Sequence, residues 1–177
     1  KALADADTQL IDLAGKVLMP GMIDTHSHPV VAAYDSMGSN LYDEVKPLAE
    51  LEQWIIAQDQ AGAARVGDII VISGASSGYW EQSAGLGKIF NQGRWADQPV
   101  VLNGIDGHTG WANNAMLARV KIDAALVKSL PEKERNYIGH AADFTPTGYL
   151  AENGWDRVRS QLPAPTEAVM LNAAREA

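Results

Sequence analysis

The chain has no cysteine. Disulfides are therefore excluded, and any bound metal must be held by His, Asp, Glu or a modified Lys rather than by thiolates. Basic side chains are also scarce. Lys and Arg number 14 against 22 Asp and Glu, for a formal net charge of −8. Nucleic acid and anionic membrane surfaces both require a basic footprint, so neither is expected as a partner. No apolar run approaches the roughly 20 residues that span a bilayer. There is no signal-peptide pattern, internal repeat or low-complexity tract. A cytoplasmic location is the resulting expectation, although Lys1 stands where a natural start would carry Met, which leaves export open. What remains is a globular composition, 46% hydrophobic and 20% charged over 177 residues. That length suffices for one domain with a sizeable core.

Apolar segments and breakers alternate along the chain in a way that predicts α/β architecture. Thr8 to Leu13 and Lys16 to Met19, split by Ala14-Gly15, read as a strand, a turn and the lead into a second strand. Pro20-Gly21 starts that second strand and Pro29 ends it. Pro47 opens a helix to about Ala64, with Leu48, Leu51 and Ile55 as its apolar stripe. Asp68 to Ser73 is a buried strand, followed by the loop Gly74-Ala75-Ser76-Ser77-Gly78. Residues 79–97 are irregular or partly helical, with Trp80 and Trp95 packed. Pro99 to Asn103 is another strand, and helices follow near Ala112–Arg119 and Asp123–Leu130. Tyr137 to Glu152 reads as a hairpin turning at Thr145-Pro146-Thr147-Gly148. Gly154 to Leu162 is a short helix that Pro163 and Pro165 terminate, and a last helix begins at Thr166.

Four constellations could carry chemistry. In a strand, alternate side chains share a face. His26 and His28 would thus point the same way, with Asp24 one step behind to orient an imidazole. Two imidazoles on a rigid strand can grip one divalent ion, and zinc accepts imidazole nitrogen at about 2.0–2.1 Å. Two histidines two apart also arise by chance. Asp106-Gly107-His108 follows a strand, where a histidine can bind a substrate oxygen, act as acid or base, or simply cap a helix. Glu152 ends Gly148-Tyr149-Leu150-Ala151-Glu152; it could bridge metals or poise water, or be an ordinary surface residue. Gly74-Ala75-Ser76-Ser77-Gly78 matches the Gly-x-Ser-x-Gly nucleophile elbow. Ser76 would then act with Asp106 or Asp143 and His108 or His140. His140, in mid-hairpin, reads as structural, and the tryptophans as core and pocket walls.

Three blocks together resemble the amidohydrolase superfamily, specifically the family 3 group that includes N-substituted formamide deformylases. They are Ile11 to Lys16 with Met19 to His28; Leu102 to Leu117, containing Asp106-Gly107-His108 and Asn113-Asn114-Ala115-Met116-Leu117; and Pro146 to Glu152. The resemblance implies a metal-dependent hydrolase built on a (β/α)8 barrel beside a small β-sandwich. Residues 1–19 would be a sandwich remnant, and 20–34 the first barrel strand with its following loop. Residues 35–162 would be an inserted α/β subdomain covering the active site, and 163–177 a helix returning to the barrel. His26, His28 and Glu152 would be metal-proximal, His108 catalytic, Asp106 and Trp111 substrate-binding, and Asp24 an orienter. One or two divalent ions, zinc above all, and a small amide-type substrate are the expected ligands. The family's later metal-binding histidines and its aspartate base would lie beyond residue 177. An inactive isolated chain, with self-association open, is therefore the expectation. A non-catalytic cover domain without metal is the alternative, and a serine hydrolase using Ser76 a third.

Overall fold

In the computed structural model the described residues are 4–23, 25 and 28–176. The helices are α1 (Pro29–Asp35), α2 (Leu48–Gln60), α3 (Ser83–Phe90), α4 (Asn114–Arg119), α5 (Ala124–Ser129), α6 (Glu132–Arg135), α7 (Glu152–Arg159) and α8 (Glu167–Glu176). The strands are β1 (Ser39–Asn40), β2 (Arg65–Val66), β3 (Ile69–Ala75), β4 (Val100–Gly104), β5 (Thr109–Ala112), β6 (Ile138–His140) and β7 (Pro146–Ala151). They form one mixed sheet in the order β1-β3-β4-β5-β7-β6, with β2 also paired to β3. β3 runs parallel to β1 and β4, and the pairings from β4 through β5 and β7 to β6 are antiparallel.

Period-two alternation in β3 and β4 splits the core into two layers. Ile70, Ile72, Val100 and Leu102 face Leu51 and Ile55 of α2, Leu86 and Phe90 of α3, and Trp95. Ile69, Val71 and Val101 face Met116 and Leu117 of α4, Val127 of α5, and Trp155 and Val158 of α7. Both faces of β3 are covered, which is why its sequence is a continuous apolar run. Asn113 joins the layers. Its Oδ1 accepts from the N–H groups of Val100 (3.0 Å) and Met116 (3.1 Å), so it caps α4. Its Nδ2 donates to the carbonyls of Phe90, Trp95 and Gln98. A fully buried amide is tolerable only with partners of this kind.

Several boundaries differ from the sequence expectation. The helix expected from Ala112 begins at Asn114, because Thr109–Ala112 is drawn into the sheet as β5 between β4 and β7. Pro29 opens α1 rather than closing a strand, since its fixed φ and missing N–H suit the first helical turn. The expected strand from Thr8 to Leu13 and the second strand, expected to start at Pro20-Gly21 and end at Pro29 after the lead from Lys16 to Met19, are absent among the described residues; between them only the turn at Ala14-Gly15 forms. Apolar propensity alone does not make a strand, because its backbone needs a pairing neighbour, and neither sheet edge receives this segment. Leu10, Val17, Leu18, Met22 and Ile23 consequently stand exposed. Asp24 and His26 lie outside the described residues. A closed parallel barrel and a β-sandwich are likewise not formed by the described residues; the sheet is open and mixed.

Candidate functional site

The β4–β5 connection is a tight turn whose chemistry is local. The Asp106 carboxylate accepts the N–H groups of His108 and Thr109, both at 2.9 Å, and the Thr109 hydroxyl at 2.8 Å. Gly107, at φ +70°, supplies the left-handed step that a side chain would strain. Burial pushes the Asp106 carboxyl up, but the His108 N–H and the Thr109 hydroxyl and N–H outweigh it and leave the pKa lowered. Asp106 is therefore a standing carboxylate that aims His108.

The register of β5 on β7 then brings Glu152 to this turn. Thr109 pairs with Ala151, and one step further the Glu152 N–H donates to the His108 carbonyl at 2.9 Å. Glu152 sits at φ +44°, unusual for a residue with a side chain. Its Oε2 lies 3.5 Å from His108 Nδ1. A carboxylate at that nitrogen favours the tautomer with the proton on Nδ1, leaving Nε2 as a hydrogen-bond acceptor.

His108, Glu152, Asp106 and His28 line one cavity of about 370 Å³. Asp35, Ile105, Gly107, Trp155, Asp156 and Arg159 complete its wall. His28 arrives through the N-terminal end of α1, and Asp35 from the other end of that helix. The Asn103 amide donates to Asp35 Oδ1 at 2.6 Å and its Oδ1 accepts from the Trp155 indole at 3.2 Å. This relay ties α1 to α7 across β4. Arg159 donates to the Gly107 carbonyl at 3.2 Å. Burial pushes the Asp35 carboxyl up, against the Asn103 hydrogen bond and the Arg159 charge. The Tyr149 phenol is also raised, by burial and then by the negative charges of Asp106 and Glu152.

Trp111 does not join them. It is fully buried, packs on Phe90, and spends its indole N–H on the Thr147 carbonyl at 3.1 Å. Its place in the β5 register turns it into the core rather than toward the cavity. The serine triad is not assembled among the described residues. Ser76 is outside the cavity wall, Asp106 and Asp143 close turns, and His140 Nδ1 faces the Ala141 carbonyl. Asp35, Asp156 and Arg159 escaped the sequence reading. A signal for the latter two existed: Glu152, Trp155, Asp156 and Arg159 recur at helical spacing along one face of α7.

No group of three His, Asp or Glu among the described residues is arranged to hold a metal ion. His28, His108 and Glu152 share a cavity without forming a closed ligand set, and His26 lies outside the described residues. The donor types suit a divalent ion, but the described residues do not enclose one.

The chain is 28% identical over 157 residues to the "Exoenzymes regulatory protein AepA" of Pectobacterium carotovorum subsp. carotovorum. The match takes in 85% of this chain and 32% of that protein, so the chain spans about a third of its relative's length. No solved structure matches it. The family model described as amidohydrolase family matches residues 9–177, nearly the whole sequence, and the chain belongs to the amidohydrolase family.

Proposed function

We propose that this chain carries part of the active site of a metal-dependent hydrolase that cleaves carbon–nitrogen bonds in small, non-peptide amides. The observation that carries the reading is convergence. His28, Asp106, His108 and Glu152 come from distant parts of the sequence yet line one cavity of about 370 Å³, within the size range of small-molecule sites. Families of this kind commonly use divalent metals, which lower the pKa of bound water and polarise a carbonyl. Zinc is the ion we propose, with His26, His28 and Glu152 as this chain's contribution to its binding. The described residues do not enclose such an ion by themselves. What they do supply is proton handling. Glu152 beside Nδ1 favours the tautomer protonated there, Asp106 fixes the His108 backbone, and the free Nε2 would take a proton from the attacking water and pass it on to the departing amine.

Zinc analysis of the purified chain after dialysis tests this reading. Zinc stoichiometric with the chain, lost in a His26→Ala/His28→Ala double variant, supports it. A chain that holds no zinc, or a double variant that holds as much as the wild type, overturns the metal role. The second reading, a non-catalytic cover domain without metal, would then stand. We also propose residues 35–162 as the subdomain that covers the site. The isolated chain is expected to show no amide turnover.

A further inference from the structure

Asp35 lines the cavity just described and two others. One, of about 120 Å³, adds Asn40, Tyr42 and Gly74; the next, of about 460 Å³, adds Ser36 and Gly38. Ile105 is common to the first two, and Asn40 and Tyr42 to the last two. Shared walls make these one trough leading away from His108, with Asp35 at its junction.

Two large apolar side chains flank that junction in water: Ile105 is 55% exposed and Tyr42 is 82% exposed. Tyr42 and Asp43 both hold left-handed backbone, at φ +51° and +66°. Asn40 Oδ1 pins the Tyr42 N–H at 2.7 Å, and the Gly74 carbonyl pins the Asp43 N–H at 2.9 Å. Strain of this kind persists only when surrounding bonds enforce it, and it concentrates at ligand sites. Gly74 is part of the device, because a Cβ there would collide with the Asn40 amide oxygen.

The charge around the junction is mostly negative, with the Arg159 guanidinium acting on Asp35 from the same wall. Asp35 accepts a single hydrogen bond, from Asn103, among the described residues. Arg159, the nearby guanidinium, is already engaged by the Gly107 carbonyl and lies 3.9 Å from Asp156. Asp106, Glu152 and Asp156 add further negative charge along the same wall. A half-buried carboxylate with one hydrogen bond gains most from a cation that brings its own N–H donors.

We propose that Asp35 anchors a subsite for a ligand bearing a primary ammonium group on an aromatic or branched aliphatic body, the ammonium on Asp35 and the body between Ile105 and Tyr42. Taking that ligand to be the substrate, an amide that also carries an amine, rests on the hydrolase reading above. The subsite itself stands on the trough, so its test needs neither turnover nor metal.

The experiment is an NMR titration of this chain, in EDTA, with benzylammonium, benzyl alcohol and phenylacetate. It follows the Trp155 indole and the Asn103 side-chain amide. Benzylammonium is expected to bind in roughly the millimolar range, as suits a fragment of its size, with the alcohol and the carboxylate each weaker by about tenfold or more. Asp35→Asn removes that preference, while Tyr42→Ala keeps ammonium binding but lowers the ratio of benzylammonium to methylammonium affinity. Phenylacetate binding as tightly as benzylammonium, an Asp35→Asn variant binding benzylammonium as the wild type does, or no shift of either reporter would overturn the subsite. Loss of zinc binding in the earlier test would leave this result untouched.

Discussion

Two aspartates on one cavity wall are driven in opposite directions by their surroundings. Asp106 is held below the ordinary carboxylate range by the His108 and Thr109 donors, which outweigh its burial. Its contribution to stability is present above the unfolded pKa, about 3.9, and is lost as pH falls through the lower folded value. Asp35 is raised by burial, so its contribution is fully present below the unfolded value and is lost as pH rises through the folded one. Asp35→Asn is expected to raise the melting temperature at pH 7 and to leave it unchanged near pH 3. Asp106→Asn is expected to lower the melting temperature at pH 7, with the gap closing in acid. Thermal unfolding across pH checks both. A gap for Asp35→Asn that persists unchanged at pH 3 would refute burial of charge as its cause. A residue that weakens its own fold at neutral pH fits a group kept for binding.

At the scale of elements, the site depends on how β7 lies against β5. Gly148 is at φ +97°, and a Cβ there would meet the Trp111 indole nitrogen and the Ala112 carbonyl. No side chain fits at this crossing, which is what lets β7 close on β5 in the register that delivers Glu152 to His108. Gly148→Ala is expected to cost about 1–3 kcal/mol from backbone strain alone, and more from the collision. Denaturant unfolding measures the loss. In the same variant the Glu152 amide, which donates to the His108 carbonyl, should exchange its hydrogen faster than in the wild type. An unchanged exchange rate would mean that the register does not depend on this glycine. The motif from Gly148 to Glu152 is thus a structural unit: a glycine that permits contact, then a strand, then the carboxylate it positions.

For the whole molecule, the ordered core runs from β1 to α7, while residues 10–23 carry apolar side chains without a pairing neighbour. Val17, Leu18, Met22 and Ile23 are each more than four-fifths exposed. Contiguous apolar surface of this kind promotes association. The chain is expected to sediment above monomer mass at tens of micromolar, roughly where weak apolar contacts begin to hold. Replacing Val17, Leu18 and Ile23 with Ser should return it to monomer. A wild-type chain that stays monomeric at that concentration would show that this surface is not adhesive.

Much of this was legible in the residues. The run from Ile69 to Ser73 and the stripe of Leu51 and Ile55 follow from local periodicity, and both form; the hairpin from Tyr137 forms too, but it turns at Ala142-Asp143 rather than at Thr145 to Gly148, because Pro146–Ala151 is drawn into β7. Asn113 was quoted within a motif, but its part as a hub for five backbone groups could not be read from one dimension. Nor could the conversion of Thr109–Ala112 into a strand, which happens because two neighbours offer it a ladder. The apolar N-terminal segment failed as strands for the opposite reason. By itself the sequence determined composition, charge, family membership and the strongly periodic elements such as β3 and α2, because these rest on side-chain chemistry and on repeats a few residues long. Only the tertiary structure decided which groups meet. It set Glu152 beside His108, turned Trp111 inward and placed Asp35 where three cavities adjoin, because strand register and helix docking are settled by contacts between residues far apart in the chain.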